Sequence, residues 1–271
     1  MKNSPLQKDK VILTIAGSDP VAGAGIQADL KTIESLGGIC FTVITAITAQ
    51  NNSSFIAAET VSPRMLKYQL DSVLAEAKPD AVKIGMIYSE ENLEIICEYI
   101  VQYKLENIVF DPVLYSSSGG ALAENHMVQK MLEKLMPLCS IITPNIPECE
   151  IFSDIKVNTR VTLETAIKKI YQLTETSMVV KGGHALFEKE TSTDLFYDGE
   201  KITSLSEKRV TGAGLRGTGC TFSSALACYL TICSSKMEAV SSAKKYITQA
   251  IKTSNKKSKI NYLNYQNNVT R

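Results

Sequence analysis

An α/β fold with a mostly parallel central sheet, helices on both faces and a small edge hairpin is predicted by two observations. Short apolar runs of strand character alternate along the chain with stretches that carry apolar residues at helical spacing. Glycine and polar residues gather in the loops just after those strand runs, where open parallel sheets bind their ligands.

The elements follow in order. Residues 10–17 (KVILTIAG) read as a buried strand, and after the glycine-bearing loop 18–25 the stripe Ile26, Leu30, Ile33, Leu36 predicts a helix stopped by Gly37-Gly38. Residues 40–49 are β-branched and nearly continuous, which predicts a strand buried on both faces that ends at Gln50. Ser62-Pro63 starts a helix that runs to 77, residues 80–86 are the next strand, and Ser89 with Glu90 and Glu91 opens a helix to about 103. A strand at 107–113, a helix at 122–136, a strand at 139–144, a helix at 161–173 and a strand at 177–181 continue the alternation. Residues 194–197 and 202–205, on either side of Asp198-Gly199, predict the edge hairpin. One helix begins at or near Cys220, and a last one spans 236–252 with Ser235 and Glu238 as a capping box. The tail is polar and expected to fray. No repeat, low-complexity tract or linker interrupts the 271 residues, which read as one domain with a core of about 10–252 and a tail of 253–271.

Apolar residues make up 44% and charged residues 21%, the balance of a soluble globular chain. Basic and acidic side chains nearly cancel at a net charge of +1, so no global field selects nucleic acid or an anionic membrane. No apolar run approaches the ~20 residues of a membrane span. Seven cysteines without a C-x-x-C pair read as reduced thiols of a cytoplasmic protein, and two histidines are too few for a zinc cage.

The stretch from Gly212 to Leu226 carries the chemistry. Gly212, Gly214, Gly217 and Gly219 leave backbone N–H groups uncovered ahead of a helix whose N-terminus suits a phosphate. Cys220 at that helix start should ionise more readily than a free thiol, which makes it a base or nucleophile. Two literal dinucleotide fingerprints occur, at Gly23-x-Gly25-x-x-Ala28 and Gly212-x-Gly214-x-x-Gly217. The first lacks a carboxylate at the end of the next strand and the second has no βαβ unit after it. A Walker motif is absent. Phosphoryl transfer needs a phosphate cradle, a magnesium ligand and a proton acceptor. The 217–220 loop, Glu148 and Cys220 are candidates for the three, with Asn145 beside Glu148 just past a strand. Glu148 reads equally well as a helix first-turn carboxylate after Pro147, Asp29 as a solvated charge on the first helix, and Lys181 as a phosphate contact or a strand cap. Gln50 presents an amide that both donates and accepts, which suits a heteroaromatic ring with an amino group and a ring nitrogen. His184 reads as a loop residue.

Eight motifs in register resemble the hydroxymethylpyrimidine/phosphomethylpyrimidine kinases of thiamin biosynthesis, of the ribokinase-like superfamily. They are Ala16-Gly17-Ser18-Asp19-Pro20, the run from Gly23 to Lys31, Ile44 to Asn51, Val82 to Met86, Asp111-Pro112-Val113, Ile142 to Glu148, Val180 to His184 and Gly217 to Cys220. The resemblance covers about residues 10–252 and implies two ATP- and Mg2+-dependent phosphorylations. The first acts on 4-amino-5-hydroxymethyl-2-methylpyrimidine and the second on its monophosphate. By motif, Gln50 is similar to the residue that reads the pyrimidine, with Gly17, Asp29, Met86 and Val113 lining its pocket. Gly217, Thr218 and Gly219 resemble the anion hole, and Cys220 stands where sugar kinases of the superfamily place an aspartate. Glu148 with Asn145 resembles the magnesium motif, and Lys181 and Asp111 fall on the ATP side.

Three positions depart from the family pattern. Val21-Ala22 replaces Ser-Gly, Leu114 to Ser118 carries no cation, and Arg216 replaces a histidine, which touches lid contacts and substrate preference. Pyridoxal kinase, whose ring also bears a hydroxymethyl group, is the alternative enzyme, and a catalytically dead vitamin sensor is the alternative class. The expected partners are the pyrimidine alcohol and ATP, with no nucleic acid or membrane, and the expected assembly is a homodimer.

Overall fold

The computed structural model describes residues 9–51, 53–114, 125–182, 190–210, 215–254 and 262–265. Among the described residues nine strands form one sheet: β1 Val11–Ser18, β2 Ile39–Gln50, β3 Phe55–Thr60, β4 Ala81–Ile84, β5 Ile108–Phe110, β6 Ile141–Ile142, β7 Ser177–Val180, β8 Thr191–Tyr197 and β9 Ile202–Lys208. Their order is β3-β2-β1-β4-β5-β6-β7-β8-β9. From β2 to β7 neighbours are parallel, while β3 and the β8–β9 hairpin add antiparallel edges. The helices are α1 Gly25–Ser35, α2 Pro63–Glu76, α3 Glu90–Gln102, α4 Asn125–Lys130, α5 Ile146–Ser153, α6 Arg160–Thr174, α7 Thr218–Leu230 and α8 Lys236–Lys252.

Consecutive strand residues point to opposite faces, so the apolar runs feed two cores. Leu13, Val82, Ile108 and Ile142 pack with residues of α2, α3, α5 and α6. Ile12, Ala81, Val109 and Ile141 pack with residues of α1, α7 and α8. The predicted mostly parallel sheet with helices on both faces and an edge hairpin is therefore observed.

Several elements differ from expectation. Strand β2 is not buried on both faces: Ile47 is 61% exposed, because its neighbour β3 is itself an open edge with Ile56 at 72%. The sequence FIAAET of β3 carries no alternating pattern, so it gave no signal. The helix expected at 122–136 begins within α4, widens over Met131–Leu135 and tightens over Met136–Leu138, where Pro137 ends it. Residues 122–124 lie outside the described residues. Ser235 caps α8 through the Glu238 N–H, but the Glu238 carboxylate accepts from Ser234 instead of closing the box. The tail is not wholly frayed. Leu263 is buried in the second core, and Lys31 lies 5.9 and 5.7 Å from the ring centres of Tyr262 and Tyr265.

The chain leaves β1 for β2 on one side and returns to β4 on the other, so the sheet has a switch point beside β1. A crevice at the carboxyl ends of the strands follows from that topology. The residues after β1, β2, β4, β5, β6 and β7 all face it.

Candidate active site

One cavity of about 900 Å³ runs along these strand ends. Gly17, Gln50, Phe55, Met86 and Val113 line one end. The Met86 thioether fills the space beside Gly17, and Thr45 and Thr48 tie the Met86 and Ser18 carbonyls to β2 at 2.6 and 2.8 Å. A bulge in β3 skips Ile56 between the pairs Ala49–Ala57 and Gln50–Phe55, at the point where Gln50 and Phe55 line the cavity. This end is apolar around one amide.

The other end is charged. Asp111 follows β5 and Lys181 follows β7, and their side chains meet at 2.5 Å. The Asp111 carboxylate also accepts from Thr143 Oγ1 at 3.0 Å and from Ser223 Oγ at 3.2 Å. Burial alone would raise the Asp111 pKa, but the Lys181 ammonium, then Lys83, outweigh it and hold the carboxyl below its ordinary value. Asn145 caps α5 reciprocally with Glu148, at 2.9 and 2.8 Å. Glu148 therefore has the first-turn role that the sequence allowed, yet it also lines the cavity. Burial, opposed by Lys181 and reinforced by Asp111, pushes its pKa up to about 7.

Helix α7 enters above this pair. Gly217 adopts φ +76 as its N-cap, and a Cβ there would overlap the Gly23 carbonyl. No side chain caps the helix, so the first-turn N–H groups, which have no intrahelical acceptor, are left to the cavity wall formed by residues 217–220. A Cβ on Gly219 would lie 3.2 Å from Lys181 Nζ and 3.5 Å from Asp111, so the helix start sits directly against the pair. The helix begins two residues earlier than expected. Gly212, Gly214, Gly183 and His184 lie outside the described residues.

Two expectations are corrected. Asp29 is neither solvated nor part of the cavity wall: it is fully buried beneath it, accepting from Lys83 at 2.7 Å, Thr14 at 2.6 Å and Ser224 at 2.8 Å. The thiol of Cys220 is not acidified. Burial pushes it up to about 11, and although the Lys83 ammonium and the Gly25 N–H pull it down, the carboxylates of Asp29 and Asp111 push it up as well.

Lys83, Arg216 and the far end of the cavity were not assigned from sequence. Lys83 lines the floor and stays charged because Asp29 outweighs its burial. Arg216 reaches the Gln50 side chain and lies 3.8 Å from Asp19, with its Nε enclosed and unpartnered among the described residues. Beyond Gly219 the cavity extends to the buried Lys244–Asp194 pair, at 2.8 Å, and to Ile247 and Ile251 of α8. Its lining there comes from β8, β9 and one face of α8, elements far apart in sequence, with no short motif to flag it.

The donor set fits a magnesium–phosphate complex. Two carboxylates against one ammonium leave an uncompensated negative charge, and Mg2+ is held by one or two carboxylates together with substrate phosphates. No cluster of three or more metal-ligating His, Cys, Asp or Glu side chains is present among the described residues.

Ala22 has φ +55, a left-handed conformation that costs a non-glycine residue about 1–2 kcal/mol. Asp19, which accepts from the N–H groups of Val21, Gly23 and Ala24 at 2.9–3.2 Å, holds the loop there. Lys31 and Tyr262 bind the carbonyls of Ala22 and Val21 at 2.8 and 3.2 Å.

Comparison with known proteins gives the family. The hydroxymethylpyrimidine/phosphomethylpyrimidine kinase of Rhizobium meliloti is 38% identical over 242 residues, 89% of this chain and 90% of that protein. The thiamine biosynthesis bifunctional protein of Geobacter sulfurreducens is 37% identical over 241 residues, 89% of this chain but 49% of that protein. The chain thus spans about half the length of the bifunctional relatives it matches. In an ADP complex, the pyridoxal kinase of Bacillus subtilis superposes with a TM-score of 0.85 at 33% identity, covering 94% of this chain and 97% of that one. The fold is therefore the ribokinase-like one, and the sequence profile described as phosphomethylpyrimidine kinase matches residues 19–265. With that profile spanning every strand-end loop just described, the chain belongs to the phosphomethylpyrimidine kinase family.

Proposed function

We propose that the chain transfers the γ-phosphoryl group of ATP to the hydroxymethyl oxygen of 4-amino-5-hydroxymethyl-2-methylpyrimidine, and then phosphorylates the resulting monophosphate to the diphosphate. The observation that carries this reading is that one cavity joins an apolar, amide-bearing end to a charged end under an uncapped helix N-terminus. Gln50, Gly17, Met86 and Val113 would hold the ring. The N–H groups of 217–220 would meet charge that develops on the phosphoryl oxygens, with Lys181 beside them, and such preorganised donors act without reorganising during reaction. Asp111, Asn145 and Glu148 would organise Mg2+, which when bound neutralises phosphate charge. The alcohol oxygen bonds to phosphorus as the bridging oxygen leaves with ADP, and its proton passes to the thiolate of Cys220. Burial makes that thiolate scarce at neutral pH, so turnover should climb as pH rises from 7 toward 10. A flat profile removes Cys220 from the role.

We read the chain as one kinase domain, which its single continuous sheet supports. Exposed Ile47, Ile56, Met65 and Tyr68, along β2, β3 and α2, support a homodimer. Seven free cysteines support a reducing, cytoplasmic setting, and no helix of the described residues is long and apolar enough to cross a membrane. Likeness to a pyridoxal kinase favours vitamin B6 salvage as the second reading. Assay of ATP consumption with the pyrimidine alcohol, its monophosphate and pyridoxal separates the two. Turnover of the first two substrates is expected; turnover of pyridoxal alone selects the second reading, and no turnover of any of them overturns both.

A further inference from the structure

Arg216 occupies a position where three strand-end loops meet. It precedes the helix start at Gly217, and its two terminal nitrogens are committed to the end of β2. Nη2 donates to Oε1 of Gln50, and Nη1 donates to the Asn51 carbonyl at 2.5 Å. Its charge faces Asp19 at 3.8 Å, a carboxylate already fixed by three N–H groups of the β1–α1 loop. The side chain is 9% exposed.

A guanidinium carries donors and no acceptor, so whichever amide atom of Gln50 faces it must be the oxygen. Turning the amide over would set two donors against each other and lose a charge-assisted bond in an enclosed place. The amide nitrogen, with both its hydrogens, is thereby left for the cavity, along with one lone pair of Oε1. A ring that pairs with Gln50 in this state must offer an unprotonated ring nitrogen to Nε2, and can offer an amino hydrogen to the oxygen.

We propose that Arg216 is a specificity-determining positioning residue: it locks the Gln50 carboxamide in one orientation and so selects heteroaromatic alcohols with an acceptor nitrogen next to an amino group. The inference deepens the reading above and rests on Gln50 as the group that meets the ring. Arg216 does not touch the reacting atoms in this account, and its influence passes through Gln50.

A double-mutant cycle on the intact chain tests it, with kcat and the KM values for ATP and for the pyrimidine alcohol measured separately. Gln50→Ala should raise the alcohol KM about tenfold, the size of one or two lost hydrogen bonds, with kcat and the ATP KM little changed. Arg216→Ala should raise the alcohol KM by about fivefold. The double variant should match Gln50→Ala alone, since a lock has no effect once the amide is gone. Arg216→Lys retains one donor and should recover part of the loss, and it replaces Arg216→Ala in the cycle if the alanine variant does not fold. An unchanged alcohol KM in Gln50→Ala overturns the ring-reading role itself. A raised KM in Gln50→Ala, with the Arg216 effect multiplying it in the double variant, leaves that role standing and overturns the lock. An Arg216 effect confined to kcat or to the ATP KM also overturns it, and places the guanidinium with the phosphate grip.

Discussion

Two lysine–aspartate pairs lie at the strand ends, built from the same groups and put to opposite ends. Lys83 of β4 and Asp29 of α1 meet at 2.7 Å with both side chains fully buried, and Thr14 and Ser224 complete the carboxylate's bonds. Lys181 and Asp111 meet at 2.5 Å, with Lys181 19% exposed toward the cavity, and Thr143 and Ser223 play the equivalent part. The first pair balances its own charge and has no exposed side-chain surface, with Lys83 set into the cavity floor. The second has Glu148 as an extra carboxylate within electrostatic reach. The lesson is that an ion pair becomes a site when its charge does not close and one member still faces a cavity.

Breaking the sealed pair should give the largest effect. Lys83→Met leaves the Asp29 carboxylate buried without its cation, and loss of one partner from such a pair costs about 3–5 kcal/mol. Asp29 also joins β1, β4, α1 and α7 through Thr14, Lys83 and Ser224, so several elements lose an anchor together. Urea denaturation measures the loss. Adding Asp29→Leu to Lys83→Met should recover much of it, because an apolar pair needs no charge compensation. A single variant as stable as the parent would show that the sealed pair holds nothing.

Breaking the open pair should shift the effect from stability to turnover. Lys181→Met is expected to lower kcat/KM for ATP about 10²- to 10³-fold, the range found when one preorganised donor to developing charge is removed. Unfolding free energy should move less than for Lys83→Met, because Lys181 is partly exposed and water can reach Asp111 in its place. The same assay and the same denaturation, run on both variants, decide the comparison. If Lys181→Met loses as much stability as Lys83→Met and no more activity, the two pairs do the same job.

The difference between the pairs was only half legible in the sequence. The strands, most helices and the carboxyl-end loops could be read because the apolar periods of β1, β4, β5 and β7 are clean, and caps such as Ser62 and Ser89 mark helix starts. Asn145 and Glu148 stood out because they come just after a strand run, Lys181 because it sits at the end of one, and Asp111 only through its Asp-Pro-Val motif. Asp29 did not: on an amphipathic helix a carboxylate reads as solvated, and only packing against β1, β4 and α7, 15, 54 and 195 residues away, shows it sealed. Lys83 was hidden inside an apolar strand for the same reason. The thiol of Cys220 was misjudged because burial, with the carboxylates of Asp29 and Asp111, raises it, and none of these is visible in sequence. Strand β3 went unread because an exposed edge has no apolar pattern to show.

The smallest effect tests the charge that the open pair leaves over. Glu148 is held up to about 7 first by burial, and Asp111 adds to it. A folded-state pKa above the unfolded value means that the native protein keeps a proton the unfolded chain has released. The group's stabilising contribution is thus complete below about pH 4.5 and is lost as pH rises through 7. On the proposed function, binding of a magnesium–nucleotide complex should run the other way, because a metal-organising Glu148 must be ionised. That form is about a tenth of the total at pH 6 and about nine-tenths at pH 8, so the affinity for magnesium–ATP should rise about tenfold across that interval. Glu148→Gln should bind more weakly at pH 8 and lose this pH dependence, while its unfolding free energy should fall less between pH 5 and 8 than that of the parent. Calorimetric titration with magnesium–ATP at the two pH values measures the first effect and denaturation the second. Should the parent's affinity be the same at pH 6 and 8 while its stability still falls with pH, Glu148 titrates as a buried cap of α5 and the leftover charge is not what draws the metal.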